Sequence, residues 1–300
     1  MSKKFLRAAT LALPLALLLS ACAGGAPEPG ASSAPPESTG PVRIGVVGAG
    51  DPYWTAYQEA AAAEGIEVEL VDFSEYTQPN PALSAGELDL NQFQHVIYLA
   101  TYNVNASDDL VPIGATAIYP LGLYSTKYAS AADIPAGETV AVPNDESNQA
   151  RGLLVLQSAG LVELKDGGSP FSTVADVLDT SKVKVEALDA AFTATSLPDV
   201  AAAIINNDFV EDAGLTFADA IATDDPSDPN ALPYVNIFAA RAEDAENPTY
   251  LKLVEIYQNT QEVLDGVQEA SGNTAVLVKT PVEDLLTSLH SVEDDIRATQ

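Results

Sequence analysis

Beyond Arg7 the sequence holds four arginines, Arg43, Arg151, Arg241 and Arg297. A guanidinium is the best side-chain partner for a carboxylate, because its planar fork offers two parallel donors. Only Arg151 falls near the start of an expected helix that follows an expected strand, where backbone N–H groups and the helix dipole also favour an anion. Position alone leaves two readings open: an anion grip, or a surface arginine paired with Asp145 or Glu146. Asn148 lies three residues earlier on the same helical face and either donates to that anion or caps the helix. Asn236 sits in an apolar run and needs a buried partner, which is a ligand or a hinge hydrogen bond. Nucleophilic and metal chemistry have less to work with. Cys22 is the one cysteine, His95 and His290 are the two histidines, and no Gly-x-Ser-x-Gly turn occurs. A multi-histidine or cysteine-based metal site is therefore not expected, nor a disulfide, a catalytic residue or a cofactor.

The elements that must hold these residues alternate between strand and helix. Val42-Arg43-Ile44-Gly45-Val46-Val47 is a β-branched run read as a buried strand. A turn at 48–51, a helix over 52–64 closed by Gly65 and a strand over 68–73 complete a βαβ unit. That unit predicts a parallel sheet with right-handed crossovers. A helical stretch at 81–85, a strand at 88–90 and a helix near 94–102 follow. The long apolar segment 111–125 contains Tyr119-Pro120, which limits strand pairing, and is read as a strand leaving one lobe for another. Next come a strand at 139–142, a helix at 147–159, a strand at 183–188 and a helix at 197–206. A strand at 234–240 returns, and an amphipathic helix spans 247–267. This order predicts an α/β protein of two lobes, 42–125 with 235–300 and 126–234. The expected hinges lie near Leu123–Lys127 and Pro233–Ile237, and a ligand cleft is expected between the lobes.

The N-terminus and the charge bound where such a protein works. Lys3, Lys4 and Arg7 precede an apolar run over 8–19 that is short for a membrane span. The run ends in Leu19-Ser20-Ala21-Cys22, which resembles a bacterial lipobox. Residues 1–22 are read as a lipoprotein signal peptide, with Cys22 lipidated and palmitate-bearing. Residues 23–41, rich in Gly, Pro, Ala and Ser, are read as a flexible tether. The expectation is a lipid-anchored protein on the extracytoplasmic face of the cell membrane. The formal net charge of −30 excludes a nucleic-acid partner, which needs clustered Lys and Arg.

Six segments then resemble one family. Leu88-Asp89-Leu90-Asn91-Gln92-Phe93-Gln94-His95 with Tyr98, Tyr119-Pro120-Leu121-Gly122-Leu123-Tyr124-Ser125 and Val140-Ala141-Val142-Pro143-Asn144-Asp145 are similar to segments of the NlpA family of methionine-binding lipoproteins. Asn148–Arg151, Ile205-Asn206 and Pro233-Tyr234-Val235-Asn236 complete the set, in order from about Val42 to Asn259. The sequence departs from the family at Thr193–Leu197, where an arginine is often found, and in a tail that lacks the family's tryptophan.

The resemblance implies a two-lobed, periplasmic-binding-protein-like (type II) fold that captures methionine and delivers it to an ABC permease and ATPase. It implies that Arg151 and Asn148 meet the ligand carboxylate and that Asn206 and Asn236 meet its polar end. Tyr76, Phe93, His95 and Tyr98 would form an aromatic wall for the thioether, with Tyr119 a weaker candidate. Sulfur–aromatic contacts contribute roughly 0.3–1.5 kcal/mol each. Spacing alone favours core packing for each of these rings. The receptor is expected to act as a monomer and to close its lobes over the ligand. The same role for a methionine-containing dipeptide or another small amino acid is the nearest alternative. A secreted lipoprotein hydrolase, a metal receptor and an adhesive lipoprotein are more distant ones.

Overall fold

The computed structural model describes residues 40–228 and 230–299. The expected signal peptide, Cys22 and nearly all of the expected tether lie outside the described residues. In chain order the strands are β1 Val42–Val47, β2 Val68–Phe73, β3 Leu90–His95, β4 Val111–Ala115, β5 Ala117–Ile118, β6 Gly122–Tyr124, β7 Thr139–Pro143, β8 Lys184–Leu188, β9 Ala202–Ile205, β10 Ala222–Thr223, β11 Asn236–Ala240 and β12 Val276–Leu277. The helices are α1 Pro52–Ala63, α2 Pro79–Ser84, α3 Val96–Ala106, α4 Glu146–Ser158, α5 Ala190–Thr193, α6 Pro248–Asn259, α7 Gln261–Ala270 and α8 Val282–Thr299.

These strands form two five-stranded sheets, one per lobe, and a two-stranded ribbon of β5 and β12. The first sheet runs β2-β1-β3-β11-β4, with β1 parallel to β2 and β3 and β11 antiparallel to β3 and β4. The second runs β10-β6-β9-β7-β8, with β7 parallel to β8 and β9. Side chains of a strand alternate between faces. In β11, Phe238 and Ala240 join the core under α1, α6 and α7, while Ile237 and Ala239 join the core under α3 and α8. Both faces of the first sheet are therefore covered, as parallel strands require. The larger core is aromatic, with Trp54, Tyr57, Phe238 and Tyr257 packed edge to face or tilted. On the same face Gly114 of β4 lets α6 approach so closely that a Cβ there would overlap Val254.

Four expectations need correction. Residues 197–206 were expected as a helix, but 202–205 form β9 between β6 and β7. The Ala-Ala-Ile-Ile run has no periodicity of its own, and burial on both faces of a sheet overrides alanine's helical preference. The strand expected at 88–90 is β3 at Leu90–His95, and the helix after it begins at Val96 rather than Gln94. Segment 111–125 is three strands, and β6 pairs with β9 and β10 in the second sheet. The chain thus changes sheet at 119–121, ahead of the expected boundary after Ser125. Finally, the helix expected over 247–267 is interrupted at Thr260, whose extended backbone (ψ 114°) ends α6 and starts α7.

The strand β3 carries Asn91, Gln92, Gln94 and His95, yet it is buried along its whole length. Buried amides are tolerated only when paired. Asn80 of α2 supplies the pairing: its Nδ2 donates to Gln94 Oε1 at 2.7 Å, and its Oδ1 accepts from Asn91 Nδ2 at 2.8 Å and Gln94 Nε2 at 2.6 Å. This polar seam fixes the height of Phe93 and His95 at the strand's end.

Candidate functional site

The carboxyl ends of β1 and β3 in the first sheet face the ends of β7 and β9 in the second, which is where open α/β sheets place their ligands. Between them lies a cavity of about 240 Å³. All eight residues expected at the site line it: Tyr76, Phe93, His95, Tyr98, Asn148, Arg151, Asn206 and Asn236. Tyr119, the weaker candidate, lines it too. Phe93 and His95 end β3, Tyr98 lies in the first turn of α3, and Tyr76 follows β2. Asn148 and Arg151 occupy the first two turns of α4, Asn206 follows β9, and Asn236 opens β11.

Arg151 is only 6% exposed. Its Nε donates to Asp224 Oδ2 at 2.6 Å, its Nη2 donates to the Tyr119 carbonyl at 2.8 Å, and its guanidinium carbon lies 4.4 Å from the Tyr234 ring centroid. Of the two readings that position left open, the local ion pair with Asp145 or Glu146 is not formed; the carboxylate that pairs with Arg151 is Asp224, far along the chain. Two of the five guanidinium N–H donors are used by these contacts, which hold the fork in one plane. Asp224 and Tyr234 are site residues that sequence reasoning missed. Neither has a local signal, since each reaches Arg151 only through the fold.

His95 caps α3. Its Nδ1 accepts the Tyr98 backbone N–H at 3.2 Å, and its Nε2 lies 3.3 Å from Asn148 Oδ1. A ring nitrogen that accepts an N–H carries no proton, so the proton sits on Nε2 and is donated to Asn148. Burial, with the positive charge of Arg151, pulls the His95 pKa down to about 3. The ring is thus neutral throughout the physiological range and presents an apolar face to the cavity.

Tyr76, Phe93 and Tyr98 form a ring cluster, with centroids 5.9 Å apart for Tyr76–Phe93 and 5.7 Å for Phe93–Tyr98. The Tyr76 hydroxyl donates across the cleft to Asp208 Oδ2 at 2.6 Å, and the Tyr98 hydroxyl donates to the Tyr76 carbonyl at 3.0 Å. The opposite wall is polar. Asn206 Oδ1 and Asn207 Oδ1 are buried acceptors with no hydrogen-bond partner among the described residues. An apolar wall, a fixed guanidinium and unpaired acceptors together suit a zwitterion with an uncharged side chain. Among the described residues no cluster of His, Cys, Asp and Glu is placed to hold a metal ion.

At the rim, Asp51 of the first lobe faces Asp208 and Glu211 of the second. Burial, followed by repulsion from these two, raises the Asp51 pKa from 3.8 to about 6. A carboxyl whose folded pKa is raised stabilises the fold most below its unfolded pKa, and that contribution is lost as pH rises through the folded value. Asp51→Asn is therefore expected to raise the midpoint of thermal unfolding at pH 7–8 and to flatten its pH dependence between about 4 and 6. Unfolding curves across that range check this. Equal gains for the variant at every pH would show that repulsion at the rim is not the cause.

The NlpA lipoprotein profile matches residues 42–278 of this chain. Outer membrane lipoprotein 2 of Mannheimia haemolytica is 37% identical over 257 residues, covering 84% of this chain and 91% of the relative. The D-methionine-binding lipoprotein MetQ of Escherichia coli K12 is 38% identical over 241 residues, 78% of this chain and 87% of the relative. Among solved structures, a nutrient binding protein from Burkholderia cenocepacia bound to methionine superposes with a TM-score of 0.72 at 37% identity, covering 79% of this chain and 99% of that one.

Proposed function

The chain belongs to the NlpA lipoprotein family, and from that premise we propose that it is an extracytoplasmic receptor that captures methionine for an ABC importer. One observation carries the reading: an arginine held in plane by Asp224, Tyr119 and Tyr234 shares a small cavity with an aromatic wall and unpaired amide acceptors. The ligand carboxylate meets Arg151 with help from Asn148. The ammonium meets the amide oxygens of Asn206 and Asn236. The thioether lies against Tyr76, Phe93, His95 and Tyr98. A charged side chain in that last position would lose its hydration without gaining a partner.

The cavity of about 240 Å³ lies below the roughly 300–1,000 Å³ of pockets for drug-sized ligands. It favours a single amino acid over a dipeptide. The lobes close about the two interlobe connections, 119–121 and the segment before Asn236, and the Tyr76–Asp208 hydrogen bond helps to hold them together. The loaded receptor, tethered through Cys22 and acting as a monomer, delivers its ligand to the permease and ATPase. No helix of the described residues is long and apolar enough to cross a membrane. This chain performs no reaction; the family and its relatives are substrate-binding proteins.

The test is calorimetry with L-methionine on the soluble chain from residue 23 onward, after unfolding, dialysis and refolding to strip retained ligand. Denaturing mass spectrometry of the protein as isolated identifies what it carries. Saturable binding of methionine, with methionine-containing dipeptides at least about tenfold weaker, is expected. A different retained small molecule and no heat with methionine would sink the methionine assignment but leave a receptor. No binding to any amino acid or dipeptide by the folded protein would remove the receptor reading.

A further inference from the structure

The polar wall of the cavity is a chain of hydrogen bonds with a direction. It starts at Asp145, the N-cap of α4, whose Oδ1 accepts from the Asn148 backbone N–H at 2.9 Å, from Asn148 Nδ2 at 2.9 Å and from Ser147 Oγ at 3.1 Å. A carboxylate can only accept. Asn148 must therefore turn its NH₂ toward Asp145 and its carbonyl away. That carbonyl, Asn148 Oδ1, accepts from Asn206 Nδ2 at 2.9 Å and from His95 Nε2 at 3.3 Å. Asn206 must in turn present its NH₂ to Asn148, which leaves Asn206 Oδ1 unpaired, buried and in the wall of the cavity. Flipping Asn206 would place two carbonyl oxygens against each other. Flipping Asn148 would place its oxygen on the carboxylate.

We propose that Asp145, which does not itself line the cavity, is a positioning residue that sets the polarity of this relay and so makes the site selective for a ligand bearing an ammonium group. The inference rests on the amino-acid receptor reading above. Its content is the direction of the relay. With a carboxylate at its head, Asn206 offers an acceptor to the ligand; with the relay reversed, Asn206 would offer an N–H and repel an ammonium. The second buried oxygen of Asp145, Oδ2, has no hydrogen-bond partner among the described residues. Its negative charge therefore adds to the preference for a cation across a poorly solvated distance. His95 supports the same direction, because the Tyr98 N–H on its Nδ1 leaves only Nε2–H to face Asn148.

Asp145→Asn tests this. Asparagine is as good an N-cap as aspartate, so its Oδ1 keeps the helix start and the contact with Asn148 Nδ2, while the charge is lost and a donating NH₂ replaces the unpaired Oδ2. Calorimetry compares L-methionine with its desamino counterpart, γ-(methylthio)butyrate, which keeps the carboxylate and thioether and lacks the ammonium. Wild type is expected to prefer methionine. The variant should lose at least about tenfold in methionine affinity and change by less than about threefold for the desamino acid, collapsing the preference. Nitrogen-15 spectra of the histidines, assigned with His290→Gln, should show a single Nε2–H tautomer for His95 in wild type and variant alike, because the Tyr98 N–H on its Nδ1 is untouched by the substitution. Equal losses for both ligands, or an unchanged preference, would overturn the inference while leaving the methionine reading intact. Failure of wild type to bind methionine would overturn both. A thermal midpoint for the variant, measured alongside, separates selective loss from unfolding: if the desamino acid still binds normally, the fold is present.

Discussion

Arg151→Ala is expected to weaken methionine binding by roughly thirtyfold to several-thousandfold, from the roughly 2–5 kcal/mol that truncating one side of a buried charged hydrogen-bond pair costs. Two losses combine. The ligand carboxylate loses the only cation in the cavity wall among the described residues, and Asp224, behind that wall, loses its ion-pair partner and keeps only the Leu121 backbone N–H. An unopposed Asp224 repels the carboxylate, so the variant is worse than a neutral pocket. Arg151→Lys is the sharper probe. It keeps the charge, but an ammonium cannot span Asp224, the Tyr119 carbonyl and a ligand carboxylate in one plane, nor stack flat on Tyr234. At least about a tenfold loss is expected there too. Calorimetry at matched salt reads both variants, and circular dichroism verifies their folding. Wild-type affinity in Arg151→Lys would mean that the fork geometry is irrelevant, and wild-type affinity in Arg151→Ala would remove Arg151 from the site.

Much of the site is legible in the sequence because its residues sit at element ends that carry their own signals. Val-Pro-Asn-Asp followed by Asn148 and Arg151 marks a strand end, an N-cap and the first turns of a helix, and the structure places these residues there. The partners are what the sequence hides. Asp224 stands in a run of acidic residues, and nothing local distinguishes it from Asp225 or Asp228. Only the pairing of β6 with β10 brings it beneath Arg151. Asp145 was weighed as an ion-pair partner for Arg151, whereas it directs the amides instead. Two of the misread elements, β9 and β3, share one physical cause. In β9 and β3 the pattern of apolar and polar residues does not match the two-residue period of a half-exposed strand. In β9 both faces are buried in apolar neighbours, and in β3 the buried amides are satisfied by Asn80, for Asn91 and Gln94, and by Thr116, for Gln92. Burial decides both cases, and burial is a property of the whole fold.

The segment after the family match is where the sequence was silent and the structure is not. The match ends at residue 278, and α8 spans Val282–Thr299. Leu285, Leu289, Val292 and Ile296 follow one another at three- and four-residue spacing and are all buried against the core that includes Val96, Ile97, Leu99 and Ala100 of α3. Such spacing gives one apolar face, while Glu283, Asp284, Asp294 and Asp295 remain toward solvent. Asn103 of α3 donates to Glu293 Oε1 at 2.9 Å, and Arg297 pairs with the other oxygen of Glu293 at 3.0 Å. Removing residues 281–300 should therefore uncover an apolar face rather than trim a tail. Even a single buried leucine truncation, Leu289→Ala, costs roughly 2–5 kcal/mol. At roughly 2–4 °C per kcal/mol for a domain of about 150–250 residues, that lowers the thermal midpoint by about 4–20 °C. Deleting the helix should cost at least as much and promote aggregation through the exposed patch. The loss should also reach the ligand. The helix packs on the short turn Leu232–Tyr234, which carries the ring over Arg151 and leads into Asn236. Methionine affinity of whatever folded fraction survives is thus expected to fall as well. An unchanged midpoint on deletion would mean that α8 is an appendage, and a lowered midpoint with intact affinity would mean that it supports the lobe without touching the site.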